Sequence, residues 1–320
     1  MSLARGEFIV SLDCEGKWGM ADVITPHHDR HITRANLINA YRDLAAMFSR
    51  YEIPATFAFV MVFLLDDTGR AEFADRILDV EVQGANWLHH FRAAERSGNV
   101  DGWFCPEALE IVAAHPEHEV ACHGFCHLPL DEDLISLDTA ERELQSCRTV
   151  ARSKGLELET FVFPRNHLGY FEVIAAAGFT GFRGRSPGYR RDSVGRLTSL
   201  AAEFNTMARA QDPNGTKAGM HIIPSGAFLN WQRGVRRSVP RSVSRSRWKS
   251  ILRDAADNRR VAHVWLHPHN LIDGPGTLER LDDVLIEAAK LRDQGRLDIL
   301  TQAEYVRRRA GRAAPALEAR

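Results

Sequence analysis

Cysteine is scarce and odd in number: Cys14, Cys105, Cys122, Cys126 and Cys147, none of them in a CxxC pair backed by a second pair. That excludes a disulfide framework and a structural zinc ribbon, and the cysteines are expected to be thiols. No apolar run is long enough to span a bilayer. Residues 1–6 are short and polar and lead at once into a strand-like run, with no signal-peptide core between. A reducing, cytoplasmic setting is the expectation. Charge of either sign is nearly absent in the net, at -1, so the whole chain is no generic polyanion binder and no nucleic-acid partner is expected. Internal repeats and low-complexity linkers are also lacking.

What is present is a chain of 320 residues, 44% hydrophobic, enough to bury a large core. Residues 8–13 read as a buried strand. Residues 33–51 carry Leu37, Tyr41, Leu44, Ala45 and Phe48 at helical spacing, and Pro54 separates them from a second strand over 55–60. Further strands are expected at 119–122, 161–163, 179–182, 261–266 and 298–301, and further helices at 136–154, 171–177 and 278–292. Strands alternating with helices imply a parallel sheet. The length allows two domains, but a single α/β barrel domain over residues 1–310 also fits. A helical and loop region is inserted at about 66–116, and a polar tail follows at 311–320. Several polar groups fall at the C-terminal ends of strands, where barrel enzymes place their chemistry.

The chemistry centres on His123 and His127, four residues apart in 121–127. On a helical turn that spacing puts both imidazoles on one face, where one divalent ion could bridge them. Ser11-Leu12-Asp13-Cys14-Glu15 ends the first strand. Strand alternation places Asp13 and Glu15 on one face and Cys14 on the other. Two carboxylates and two histidines could therefore meet at one metal. A third feature is the stretch 233–260, with Arg233, Arg236, Arg237, Arg241, Arg245, Arg247, Lys249, Arg253, Arg259 and Arg260 against only Asp254 and Asp257. It reads either as a solvated loop and helix or as a patch for a phosphate-bearing substrate or an anionic membrane surface.

Four motifs occur in order: Ser11 to Glu15, His123-Gly124-Phe125-Cys126-His127, Phe163-Pro164-Arg165-Asn166, and Trp265-Leu266-His267-Pro268-His269. With them the chain resembles the NodB-type polysaccharide deacetylases, a group of carbohydrate esterases, over residues 11 to 269. The resemblance implies a distorted or incomplete (β/α) barrel and a divalent metal, zinc above Co2+, Ni2+ or Mn2+. It also implies hydrolytic removal of an acyl group from an N-acylated amino sugar. One departure stands out, because the usual pair of adjacent aspartates is replaced by Asp13-x-Glu15, the acid-x-acid form of some relatives.

By that resemblance Glu15, His123 and His127 hold the metal, with Cys14 as the rival third ligand. Asp13 is the base, and Arg165 pairs with it to keep it ionised. His267 is the acid that protonates the leaving nitrogen, with His269 of the same loop as the alternative. Trp18, Asn166 and His269 are candidates for substrate contact, although filling the core is the default for a tryptophan. The expected substrate is a nucleotide- or lipid-linked glycan intermediate, with peripheral contact to a membrane-borne substrate or a homo-oligomer as further expectations. Two other readings use the same cleft: hydrolysis of a formamide, cyclic imide or ureide, and carbohydrate binding without turnover.

Overall fold

The computed structural model describes residues 5–185, 198, 200–213, 215–274 and 276–313. Its strands are β1 (Gly6–Cys14), β2 (Thr56–Phe59), β3 (Glu81–Val82), β4 (Ala85–Asn86), β5 (Glu119–Cys122), β6 (Thr160–Phe161), β7 (Gly181–Arg183), β8 (Thr216–Lys217), β9 (Met220–Ile223), β10 (Ala227–Phe228), β11 (Val261–Leu266) and β12 (Leu297–Leu300). The main sheet runs β10-β11-β1-β2-β5-β6-β7-β9-β8, with β12 also on β1. Every pairing in it is parallel except the β8–β9 hairpin.

β1 organises the sheet because it is nine residues long and buried throughout. One edge takes β11 from Glu7 to Leu12. The other edge is shared, β12 pairing with Gly6 to Ile9 and β2 with Ser11 to Cys14. Its side chains alternate as a strand must. Phe8, Val10, Leu12 and Cys14 enter the large hydrophobic core. Ile9 instead joins Ile223, Val261, Leu300, Tyr305 and Val306.

The sheet is strongly curled. Three strands separate β1 from β7, so in a flat sheet their side chains would stand roughly 19 Å apart at the usual inter-strand spacing. Instead Arg183 at the end of β7 donates to Asp13 at the end of β1 at 2.7 Å. The sheet is a half-barrel, and Glu7, Ile9, Ser11 and Asp13 face its interior. Helix Gln302–Ala313 plugs the end away from Asp13. Backbone N–H groups at its start donate to Thr56 Oγ1 and Glu119 Oε2, while Arg309 pairs with buried Glu7. The expected distorted (β/α) barrel is what the chain forms.

The helices begin and end where the local chemistry directs. Thr33 and Ser136 accept from the N–H groups of Asn36 and Thr139, capping helices Arg34–Tyr51 and Leu137–Ser153. The region 66–116 holds helices Asp67–Glu72, His89–Ser97 and Glu107–Ala113 and the β3–β4 hairpin. The basic stretch is mostly helix Arg241–Asn258, and several of its cations meet carboxylates: Arg241 and Arg245 share Asp283, Arg253 meets Glu287, and Arg260 meets Asp212 and Asp254. Such exposed pairs are worth little to stability. Among the described residues no helix is long and apolar enough to cross a membrane.

Candidate active site

The polar groups named by the motifs sit at the C-terminal ends of the parallel strands. Asp13 and Glu15 close β1, His123 follows β5, Pro164 to Asn166 follow β6, Arg183 closes β7 and His267 follows β11. All of these except Pro164 and Arg183 line a cavity of about 810 Å3, together with His127 and His269.

His123 and His127 do come together, with ring centroids 4.8 Å apart, but no helix carries them. They lie on a tight turn in which Gly124 has φ 82° and His127 φ 59°. A left-handed histidine is costly and must be held. Buried Glu143 does the holding: its Oε1 accepts from the N–H of Phe125 at 2.7 Å, Cys126 at 2.8 Å and Leu128 at 3.4 Å. Burial pushes the Glu143 carboxyl up to about 7, against the pull of those three donors. Trp87 Nε1 also donates to the His127 carbonyl at 3.2 Å. Glu143→Ala should free this turn, and the metal affinity of the stripped protein should fall by about 10- to 100-fold in a zinc titration.

Glu15 lies between the two rings, its Oε2 3.3 Å from His123 Nε2 and 3.1 Å from His127 Nε2. Burial pushes its carboxyl up, but the surrounding histidines, His267 first, hold it well below the usual carboxylate range. Its carboxylate leans so closely on Gly19 that a Cβ there would stand 2.0 Å away. Nδ1 of His123 donates to the Val162 carbonyl at 2.8 Å, so in the neutral ring Nε2 keeps its lone pair. Burial lowers His127 to about 4 and leaves its Nδ1 without a partner. The Nε2 atoms of both rings stand within 3.3 Å of the one Glu15 oxygen, so three potential ligand atoms converge. The donor set fits a divalent ion, and two nitrogens with one carboxylate leave positions free for water and substrate, as in catalytic zinc centres. The His123 Nδ1–H···O=C bond is the kind of outer contact that orients a metal-ligating histidine.

Cys14 takes no part in that set. It lies on the opposite face of β1, its Sγ donating to the Leu12 carbonyl at 3.5 Å, and burial raises its thiol well above 9.0, far from thiolate character.

Asp13 is held apart from the metal-type group and is gripped by Arg183, not by Arg165 as the motif order suggested. Two parallel bonds of 2.7 Å join the carboxylate to the Arg183 guanidinium, which also donates to Ser11 Oγ at 3.3 Å. Ser11 in turn meets His263 Nε2 at 2.8 Å, and His263 Nδ1 donates to the Pro224 carbonyl at 2.6 Å. Burial raises the Asp13 carboxyl, but Arg183, then His123, bring it below 3.8. Arg165 lines the cavity elsewhere, paired with Asp22 and lying over the Trp87 ring at 5.4 Å. The reason is the turn: Arg165 and Asn166 both have φ 54°, which directs them away from the strand line that Arg183 follows. Arg183 was detectable only as a charged residue ending an apolar strand.

His267 faces the other side of Glu15, its Nε2 3.6 Å from Oε1, and its Nδ1 meets Asn270 Oδ1 at 3.1 Å. His269 stacks on it with centroids 4.9 Å apart, and burial drives His269 down to about 3. Asn166 and His269 line the cavity. Trp18 does not. It is fully buried among Phe91, Trp103 and Phe104, its Nε1 donating to the Trp103 carbonyl, because a ring of that size gains most from the core.

No family model and no curated protein matches the sequence. Solved structures do. A candidate polysaccharide deacetylase from Mycobacterium smegmatis aligns over 100% of this chain and 96% of its own, at 14% identity and a TM-score of 0.59. A 4-alpha-glucanotransferase from Thermococcus litoralis aligns over 95% of this chain but 40% of its own, at 13% identity and 0.50. The Xyl-CE4 domain of a xylanase from the Trinervitermes trinervoides hindgut metagenome aligns over 96% and 92%, at 11% identity and 0.43. The chain therefore has the NodB-like, distorted (β/α) barrel fold of the polysaccharide deacetylases.

Proposed function

We propose that this protein is a metal-dependent hydrolase that removes an acyl group, acetyl above all, from an N-acylated amino sugar. One observation carries the reading: Glu15, whose carboxyl is held well below the usual range, faces Nε2 of both His123 and His127, beside a second carboxylate, Asp13, that is locked by Arg183 instead of joining them. Two carboxylates of different environment divide the labour, one for metal and one for protons.

Glu15, His123 and His127 would hold the ion, zinc by preference, with Co2+, Ni2+ or Mn2+ compatible with the same nitrogen and oxygen donors. When bound, it supplies Lewis acidity toward water and toward the amide carbonyl. Asp13, kept ionised by Arg183, takes the proton of the attacking water. His267, open to the cavity and steadied by Asn270, gives a proton to the departing nitrogen. His269, at about 3, stays neutral and is the weaker choice for that step. Phe163, Phe228, Trp231 and Trp265 supply apolar faces against which a sugar ring and its acyl group can pack. A sugar carried on a nucleotide or lipid phosphate is the form of substrate this reading takes, since cationic side chains share the cavity wall.

The test is acetate release by the zinc-loaded chain from N-acetylglucosamine and its oligomers. Stripping with a chelator should abolish release, and zinc should restore it. Turnover of a cyclic imide in place of the sugars would move the assignment to an amidohydrolase. Bound zinc with no turnover of either would make the chain a carbohydrate-binding relative of the enzymes.

A further inference from the structure

A second charged cluster lies on the wall of the same cavity, and the reaction just described does not use it. Arg247 and Glu203 both line the cavity, with side chains only 9% and 4% exposed. Arg247 Nε donates to the Ala202 carbonyl at 2.9 Å, but its Nη1 has no hydrogen-bond partner. Glu203 Oε2 stands 3.8 Å from it, too far for a bond, and is itself without a partner. Glu203 spends its other oxygen on Arg236, at 2.8 Å, and Arg236 lines the cavity too. Glu203 is thus shared by two guanidiniums, and Arg247, the deeper of the two, is left with a buried fork half used. The charges that act on Arg247 are those of Glu203 and Arg236, and they oppose each other. A buried cation so poorly matched costs stability unless something else completes it.

We propose that Arg247 and Arg236 form a subsite for an anionic substituent of the sugar, a carboxylate or a phosphate, and that Glu203 sets its threshold by competing for the same two arginines. The inference rests on the deacylase reading for the sugar but not for the anion. Arg247 Nη1 supplies a charge-assisted hydrogen bond to the incoming oxygen, and Arg236 adds charge next to it. Neutral sugars would gain nothing there, because their hydroxyls do not balance the second guanidinium. Arg241, Arg253 and Arg260 play no part, being matched on the surface by Asp283, Glu287 and Asp212.

Calorimetric titration of the zinc-loaded chain with N-acetylglucosamine, N-acetylglucosamine 1-phosphate and N-acetylmuramic acid tests it. At least one anionic sugar should bind about tenfold or more tightly than the neutral one, the ordinary worth of a charge-assisted bond. The tighter of the two separates phosphate from carboxylate. Arg247→Gln should bring that ligand to parity with N-acetylglucosamine and leave the neutral sugar unchanged. Arg247→Lys, which keeps the charge and loses the fork, should retain part of the preference. Glu203→Gln should tighten the anionic sugar alone. That sign is opposite to what a purely structural ion triad would give. Parity of all three ligands in the native chain, no binding of any, or an equal loss of all three in the variants overturns the subsite. Acetate release measured in parallel keeps the two readings apart. Anion preference without acetate release would keep the subsite and remove the deacylase, and acetate release with equal kcat/KM on neutral and anionic sugars would do the reverse.

Discussion

His123→Gln is expected to lose bound zinc and acetate release together. Glutamine keeps much of the volume of the buried imidazole, so the space behind the turn stays filled. What goes is the Nε2 lone pair facing Glu15, and a glutamine amide is a poor substitute at zinc. Two donors remain, and two donors hold zinc weakly. Metal content after dialysis, read beside acetate release, checks this. A His123→Gln protein with one zinc per chain and native turnover would place the metal elsewhere. Glu15→Gln should act in the same direction, since it removes the negative charge that the two rings face.

Asp13→Asn should separate the two properties instead. Zinc should stay, because Asp13 belongs to the Arg183 grip and not to the group of Glu15, His123 and His127. Turnover should fall by about 10²- to 10⁴-fold, the usual cost of losing a general base. Stability should fall as well, by about 3–5 kcal/mol, because Arg183 is buried and would be left with no counter-charge from Asp13. The sign with pH follows from the lowered Asp13 value. The native pair contributes fully above the ordinary 3.8 and loses its contribution as pH falls through the lower folded value. Thermal melts of the native protein should therefore drop more steeply in that acid range than melts of Asp13→Asn. Parallel melting curves for the two would show that the pair carries no linkage. Arg183→Met provides the converse. It leaves Asp13 buried without its cation, so the acid limb of the rate profile should move to higher pH, a change that a simple loss of packing would not produce.

The periodic segments were legible in the sequence because their burial is one-sided. Helices 33–51 and 136–154 carry their caps and apolar stripes in the sequence, and both appear within a residue or two. The alternation of 11–15 separated Cys14 from Asp13 and Glu15, and the structure keeps them on opposite faces of β1. The short strands β8, β9 and β10 left no such trace. Two to four residues at the margin of a sheet are set by the neighbour they pair with, not by their own pattern.

The order of the elements and the carboxylates and histidines at the strand ends follow from residue spacing, because spacing along a strand is a local property, whereas the barrel class came with the resemblance that the four motifs carry. Which arginine reaches Asp13 was decided by the tertiary structure alone. Arg165 and Arg183 each follow a strand in sequence, but only the curl of the sheet brings β7 over β1, and only the left-handed turn at 165–166 takes Arg165 to Asp22. The same holds for Glu143, a helix residue whose role is to hold the His123–His127 turn, and for Glu203, shared by two arginines far along the chain. Contacts of that kind arise from closure of the barrel, and no local pattern of residues encodes them.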